Sequence, residues 1–72
     1  MREYTIILHP DETGGYWTEV PALPGCMSQG DTVEEAIEMS KDAIALWLES
    51  MREQGEAIPE DKDIVVKVAI PA

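Results

Sequence analysis

Seventy-two residues, 44% of them hydrophobic and 28% charged, describe one small domain rather than two domains, a disordered tail or a membrane span. Fifteen acidic residues against five basic ones give a formal charge of −10 and a pI near 4.2. That balance excludes a stand-alone nucleic-acid binder and an anionic membrane surface, and it steers a basic protein towards the chain.

In chain order, Glu3 to His9 alternates, with Tyr4, Ile6 and Leu8 on one side and Thr5, Ile7 and His9 on the other. This predicts a first strand. Pro10 to Gly15 is a polar, Gly-ended hairpin turn, and Tyr16 to Val20 a second strand with two aromatics. Pro21 and Pro24 break it, because proline donates no ladder hydrogen bond. Cys26 to Gly30 is a short third strand, and the three form an antiparallel meander.

A helix follows. Thr32 and Glu35 read as a capping box, with Asp31 as an alternative N-cap, and Glu34 and Glu35 suit the positive end of the helix dipole. Val33, Ala36, Ile37, Ser40, Ala43, Ile44, Trp47, Leu48 and Met51 recur at helical spacing as one broad core face. Gly55 is placed to end the helix. Opposite the core face lie Glu35, Glu38, Asp42, Glu49 and Glu53, within an arc of about 100°. This is either a solvated outer face or a recognition stripe for a basic partner. Met39 and Leu46 lie between the two faces and suit either a core extension or a small partner contact.

Asp63 to Ile70 alternates Ile64, Val66, Val68 and Ile70 with Val65, Lys67 and Ala69. It predicts a fourth strand, carried back by the helix to pair in parallel with an earlier one. The expected fold is α+β, a two-layer β-β-β-α-β arrangement in a single domain over residues 1–72. One helix covers one sheet face, so the other exposes some of Ile7, Trp17, Val65 and Ala69, and such a patch marks an interface. With one cysteine and no staple, self-association as a dimer or tetramer is the expected route to stability.

The residues offer little chemistry. His9 and Cys26 are the only soft ligands, too few for a zinc site, and no Gly-rich phosphate loop is present. His9 suits a surface or turn position better than a catalytic base, and Cys26 suits a small buried thiol. β-β-β-α-β also opens the RNase H-like fold, whose nucleases hold metals with a carboxylate on the first strand. Tyr4 to Leu8 contains no acid. No enzyme, metal or cofactor is expected.

Pro21-Ala22-Leu23-Pro24-Gly25-Cys26 resembles the Pro-Asp-Leu-Pro-Gly-Cys signature of HicB-type antitoxins, with Ala22 departing from the usual Asp. Gln29-Gly30-Asp31-Thr32-Val33-Glu34-Glu35-Ala36 resembles the family's Gln-Gly-Asp-Thr-x-Glu-Glu-Ala stretch. Gly14-Gly15-Tyr16, Asp42-Ala43-Ile44, Ile58-Pro59 and Val65-Val66-Lys67-Val68 extend the likeness over essentially the whole chain. The resemblance implies a degraded RNase H-like domain that binds and blocks HicA, a small basic mRNA-cleaving toxin. Many family members carry a C-terminal DNA-binding domain; this chain closes at Ala72, so none is expected and operator binding is in doubt. Candidate partner contacts are Tyr16, Trp17, Glu19 and Leu23, then Glu38, Asp42 and Glu49 on the helix. The signature residues equally suit a purely structural turn and helix cap. The alternative function is a solitary oligomeric interaction module without a toxin; a metal-dependent nuclease is the remote third.

Overall fold

A computed structural model describes residues 2–71. Its elements are β1 (Ile7–Pro10), β2 (Tyr16–Glu19), β3 (Met27–Gly30) and α1 (Val33–Glu53). The strands form an antiparallel sheet in the order β1-β2-β3. The meander and helix thus match the sequence expectation, although the first ladder starts at Ile7 rather than Glu3.

Local chemistry sets the connections. In the β1–β2 turn, Asp11 N–H donates to Gly15 C=O and Gly14 N–H to Asp11 C=O, both at 3.0 Å. The Asp11 carboxylate accepts from the Thr13 N–H and hydroxyl, and these bonds hold its pKa below the ordinary carboxylate value. Between β2 and β3, Leu23 N–H donates to Val20 C=O and Cys26 N–H to Leu23 C=O, both at 2.9 Å. This tight turn drives Leu23 inward, where it forms the core with Val20 and Cys26. Tyr4, Ile6, Ala43, Ile44, Leu48 and Met51 pack around that centre.

Both helix ends are built from their own residues. Thr32 Oγ1 accepts from Glu35 N–H, as in a capping box, but the Glu35 carboxylate returns to Asp31 N–H at 3.1 Å. At the other end, Gly55 N–H donates to Arg52 C=O and Glu56 N–H to Met51 C=O, with Gly55 at φ +72°. This is a Schellman ending, in which the left-handed position favours glycine.

The helix sits close on the sheet because small residues face each other. A Cβ added at Gly30 would lie 2.4 Å from Ala36 N and 2.7 Å from Ala36 Cα, so only glycine admits this approach. Ala36 and Ser40 are the buried residues of α1. The Ser40 hydroxyl meets that of Thr18 at 2.7 Å, both side chains being fully enclosed.

The expected fourth strand does not form. Among the described residues, no strand follows Glu53. The observed fold is β-β-β-α, without the returning strand or the closed RNase H-like topology. The Tyr4 hydroxyl donates to Pro59 C=O at 2.6 Å, and Thr5 N–H donates to the Asp61 carboxylate. Residues 64–70 then run exposed and without regular structure. Period-2 alternation favours extended backbone, but it does not specify a pairing edge. Here a side chain has taken an edge N–H that an incoming strand needs. The departing arm stretches the molecule to 47 × 27 × 20 Å, with a radius of gyration of 13.9 Å. A compact chain of this length would have about 11 Å.

The Thr18–Ser40 pair provides a test of the helix–sheet contact. Ser40→Ala alone leaves a buried hydroxyl unpaired and should cost about 1–3 kcal/mol in urea unfolding. Thr18→Val with Ser40→Ala removes both polar groups and should recover much of that loss. A double variant as unstable as the sum of the singles would show that the hydroxyl pair is not what couples the layers.

Candidate partner-binding surfaces

The sheet has one covered and one open face, and alternation assigns residues to each. Thr18, bonded to the helix, marks the covered face, and its register partners Leu8 and Ser28 share it, as does the row Pro10, Tyr16 and Gly30. The open face therefore carries Ile7, Glu19 and Met27 in one row and His9, Trp17 and Gln29 in the next. The His9 and Trp17 rings stack with centroids 4.0 Å apart and planes at 17°. The Glu19 carboxylate holds the His9 Nε2 at 2.7 Å, a diagonal contact across the same strand pair. These contacts fix the Trp17 ring before any partner arrives, which lowers the entropy cost of using it as an anchor. Trp17 is 37% exposed and Met27 61%.

The outer face of α1 is the second surface. Glu35, Glu38, Asp42, Glu49 and Glu53 are all exposed. Lys41 pairs with Glu38 at 3.2 Å, an exposed contact of little energetic weight. Met39 and Leu46, 48% and 67% exposed, line one border of this acidic stripe. They project to solvent rather than extend the core. A third feature is an open groove of about 760 Å³ between the residues leading into β1 and the helix, with Tyr4, Ile6, Ile44 and Leu48 on its floor. Arg2, Glu3, Lys41 and Arg52 also line it.

The candidate contacts are therefore dispersed. Trp17 and Glu19 lie together on the open sheet face. Tyr16 is half-buried on the covered face, and Leu23 is 1% exposed, so its side chain shapes the turn from inside. Glu38, Asp42 and Glu49 occupy the helix outer face, on the opposite side of the molecule from Trp17. His9 and Met27 join the open face although sequence reading did not select them. The cross-strand register would have found them once the turn lengths were known.

The described residues contain no group of three or more His, Cys, Asp or Glu able to hold a metal. Burial pushes the Cys26 thiol pKa up, which disfavours the reactive thiolate.

These features are those of a small two-layer body with acidic and aromatic surfaces. Residues 4–72 match the model of the HicB-like antitoxin of bacterial toxin–antitoxin systems. The chain belongs to this family of antitoxins, not enzymes. It is 48% identical over 59 residues to a UPF0150 protein of Thermoplasma acidophilum, covering 82% of this chain and 86% of that protein. A UPF0150 protein of Synechocystis is 44% identical over 64 residues, covering 89% of this chain and 80% of the relative. Antitoxin HicB 1 of Photorhabdus laumondii is 45% identical over 56 residues, which cover 78% of this chain but 36% of that longer protein. Among the described residues, no helix is long and apolar enough to cross a membrane.

Asp61 gives a pH test of the contact that roots the departing arm. Hydrogen bonds from Thr5, then from Asp63 N–H, lower its carboxyl pKa. A lowered folded pKa contributes stability fully present above the unfolded value of about 3.9, and lost as pH falls through the folded value. Thr5 amide protection should therefore hold at neutral pH and fall only in acid, and Asp61→Asn should abolish that acid transition. A carboxyl titrating at or above the ordinary value in an NMR titration would contradict this anchor.

Proposed function

We propose that this chain neutralises a small basic, RNA-cleaving toxin of the HicA type by covering the surface that the RNA otherwise occupies. The observation that carries this reading is the outer face of α1, where exposed carboxylates run beside Met39 and Leu46. A stripe of negative charge beside apolar anchors complements a basic RNA-binding surface. Glu38, Asp42 and Glu49 take positions that RNA phosphates hold, and the carboxylates accelerate encounter. The buried apolar centre of such an interface sets its lifetime. Family membership and the name of the Photorhabdus relative support the antitoxin role. An mRNA-cleaving target places the pair in the cytoplasm.

The two candidate faces divide the work. The face with Trp17 and Glu19 points away from the helix stripe, and screening over about 8 Å at physiological salt separates them electrically. It is nearly neutral, with His9, Gln29 and one carboxylate around an aromatic anchor. Self-association suits this face better than contact with a strongly basic partner does. The acidic protein makes no direct use of nucleic acid.

Tagged protein recovered from its own cells at low salt should bring down a small basic chain whose RNA cleavage stops on rebinding. Glu38→Lys with Asp42→Lys should slow association about tenfold or more at low salt and flatten its salt dependence. Unchanged association and salt response would reduce the stripe to a solvated face. Recovery of a homo-oligomer alone, with the neighbouring basic protein expressed, would favour a solitary interaction module.

A further inference from the structure

We infer that the basic partner is anchored on one flank of α1, with the Trp47 indole at the centre of the contact and Met39 and Leu46 beside it. This rests on the antitoxin reading above and names the residues on which its partner closes. At about 100° per residue, Met39, Ala43, Leu46, Trp47 and Ser50 fall within an arc of about 100° on one side of the helix. Helical period alone places Trp47 with the core face, yet it is 36% exposed, beside Leu46 at 67% and Met39 at 48%. The small residues Ala43 and Ser50 lie between the large ones, so an incoming side chain meets little bulk there.

Trp47 is also held in place. A Cβ at Gly25 would lie 3.2 Å from Trp47 Cη2 and 3.9 Å from Cζ2, so the ring edge rests against the backbone of the Pro21–Cys26 turn. Pro24 and Gly25 are themselves exposed and the turn carries no charged residue, so the uncharged surface continues from the helix onto the turn. A tryptophan already seated against backbone loses little freedom on binding, and tryptophans at the centre of an interface carry a large share of its energy. The indole face also attracts Lys or Arg, which a surface built for RNA supplies.

Charge selects the occupant. Met39 stands one helical turn from Glu35 and Asp42, and Leu46 one turn from Asp42 and Glu49, whereas the flank itself holds no charged residue. The two basic residues of α1, Lys41 and Arg52, lie with Glu34 on the far border of the carboxylate arc. A basic surface laid over the arc is repelled by Lys41 and Arg52 on that border and meets no like charge on the Met39–Trp47 side. A second copy, at −10, would bring its own carboxylates against the arc, and like charge disfavours that occupant. The carboxylates thus orient the partner, and the uncharged flank supplies the desolvated centre around Trp47.

The test uses the full chain labelled with fluorotryptophan, and the purified small basic protein encoded by the neighbouring reading frame as the probe. Trp17→Phe assigns the fluorine resonances of Trp17 and Trp47. On binding, the Trp47 resonance should move and lose its shift between light and heavy water, while that of Trp17 keeps its position and its solvent shift. Met39→Gln/Leu46→Gln changes two exposed residues, so the variant should retain the helical circular dichroism of the parent. It should release the partner about tenfold faster or more, with association within about twofold of the parent's. Binding that moves the Trp17 resonance but not that of Trp47, or a double variant that releases the partner at the parent's rate, would overturn this anchor and leave the antitoxin reading standing. A parent that does not bind the basic protein would remove both. A Trp47 resonance that moves on dilution of the parent alone would give the flank to a second copy and overturn the inference.

Discussion

The close seating of α1 on the sheet governs what the rest of the molecule can present. Gly30 lets the first turn of the helix approach β3, Ala36 leaves no side chain in the way, and Thr18 and Ser40 replace bulk with a buried hydrogen bond. A contact made from such small residues brings the layers together but buries little apolar area, which scales the hydrophobic gain. The larger residues Val20, Leu23 and Cys26 gather instead at the turn beyond β2, so the core is displaced towards one end of the sheet. The other sheet face, the outer helix face and the edge of β1 are left for other molecules.

Those three surfaces differ in chemistry. The helix face concentrates carboxylates, the open sheet face is aromatic and nearly neutral, and the groove lining includes three of the five basic residues together with Glu3. The net charge of −10 is thus unevenly spread, and a single partner need not satisfy all of it. Within a Debye length of about 8 Å each surface acts by its own local charge. Under the proposed function, that separation would let one small chain meet a basic toxin on one side and a copy of itself on another without the two contacts competing.

Much of this was legible where the determinants are local. Thr32, Glu35 and Gly55 predict the helix ends because capping bonds span only three to five residues, and each bond is present. The acidic arc and the position of Cys26 follow from helical period and residue size. The fourth strand was not legible, because Ile64 to Ile70 alternates in the same way whether its partner is its own sheet or another chain. Leu23 was expected as a partner contact beside the second strand, yet the hydrogen bonds that close the turn carry it inside. The His9–Trp17–Glu19 cluster depends on cross-strand register, which the turn length between β1 and β2 decides.

A domain of this size removes only about 60% of its unfolded surface from water, and here an apolar arm lowers the return further. Its stability therefore depends strongly on what it binds. Any partner that recognises only the folded chain adds RT ln(1 + [L]/Kd), about 2.7 kcal/mol at a hundredfold excess over Kd. For a marginal fold of roughly 5–15 kcal/mol, that is a substantial share. Under the proposed function, self-association would make stability rise with the chain's own concentration, and toxin binding would make it rise with the toxin's. The small core beneath α1 thereby leaves the stability of the fold sensitive to any molecule that binds it.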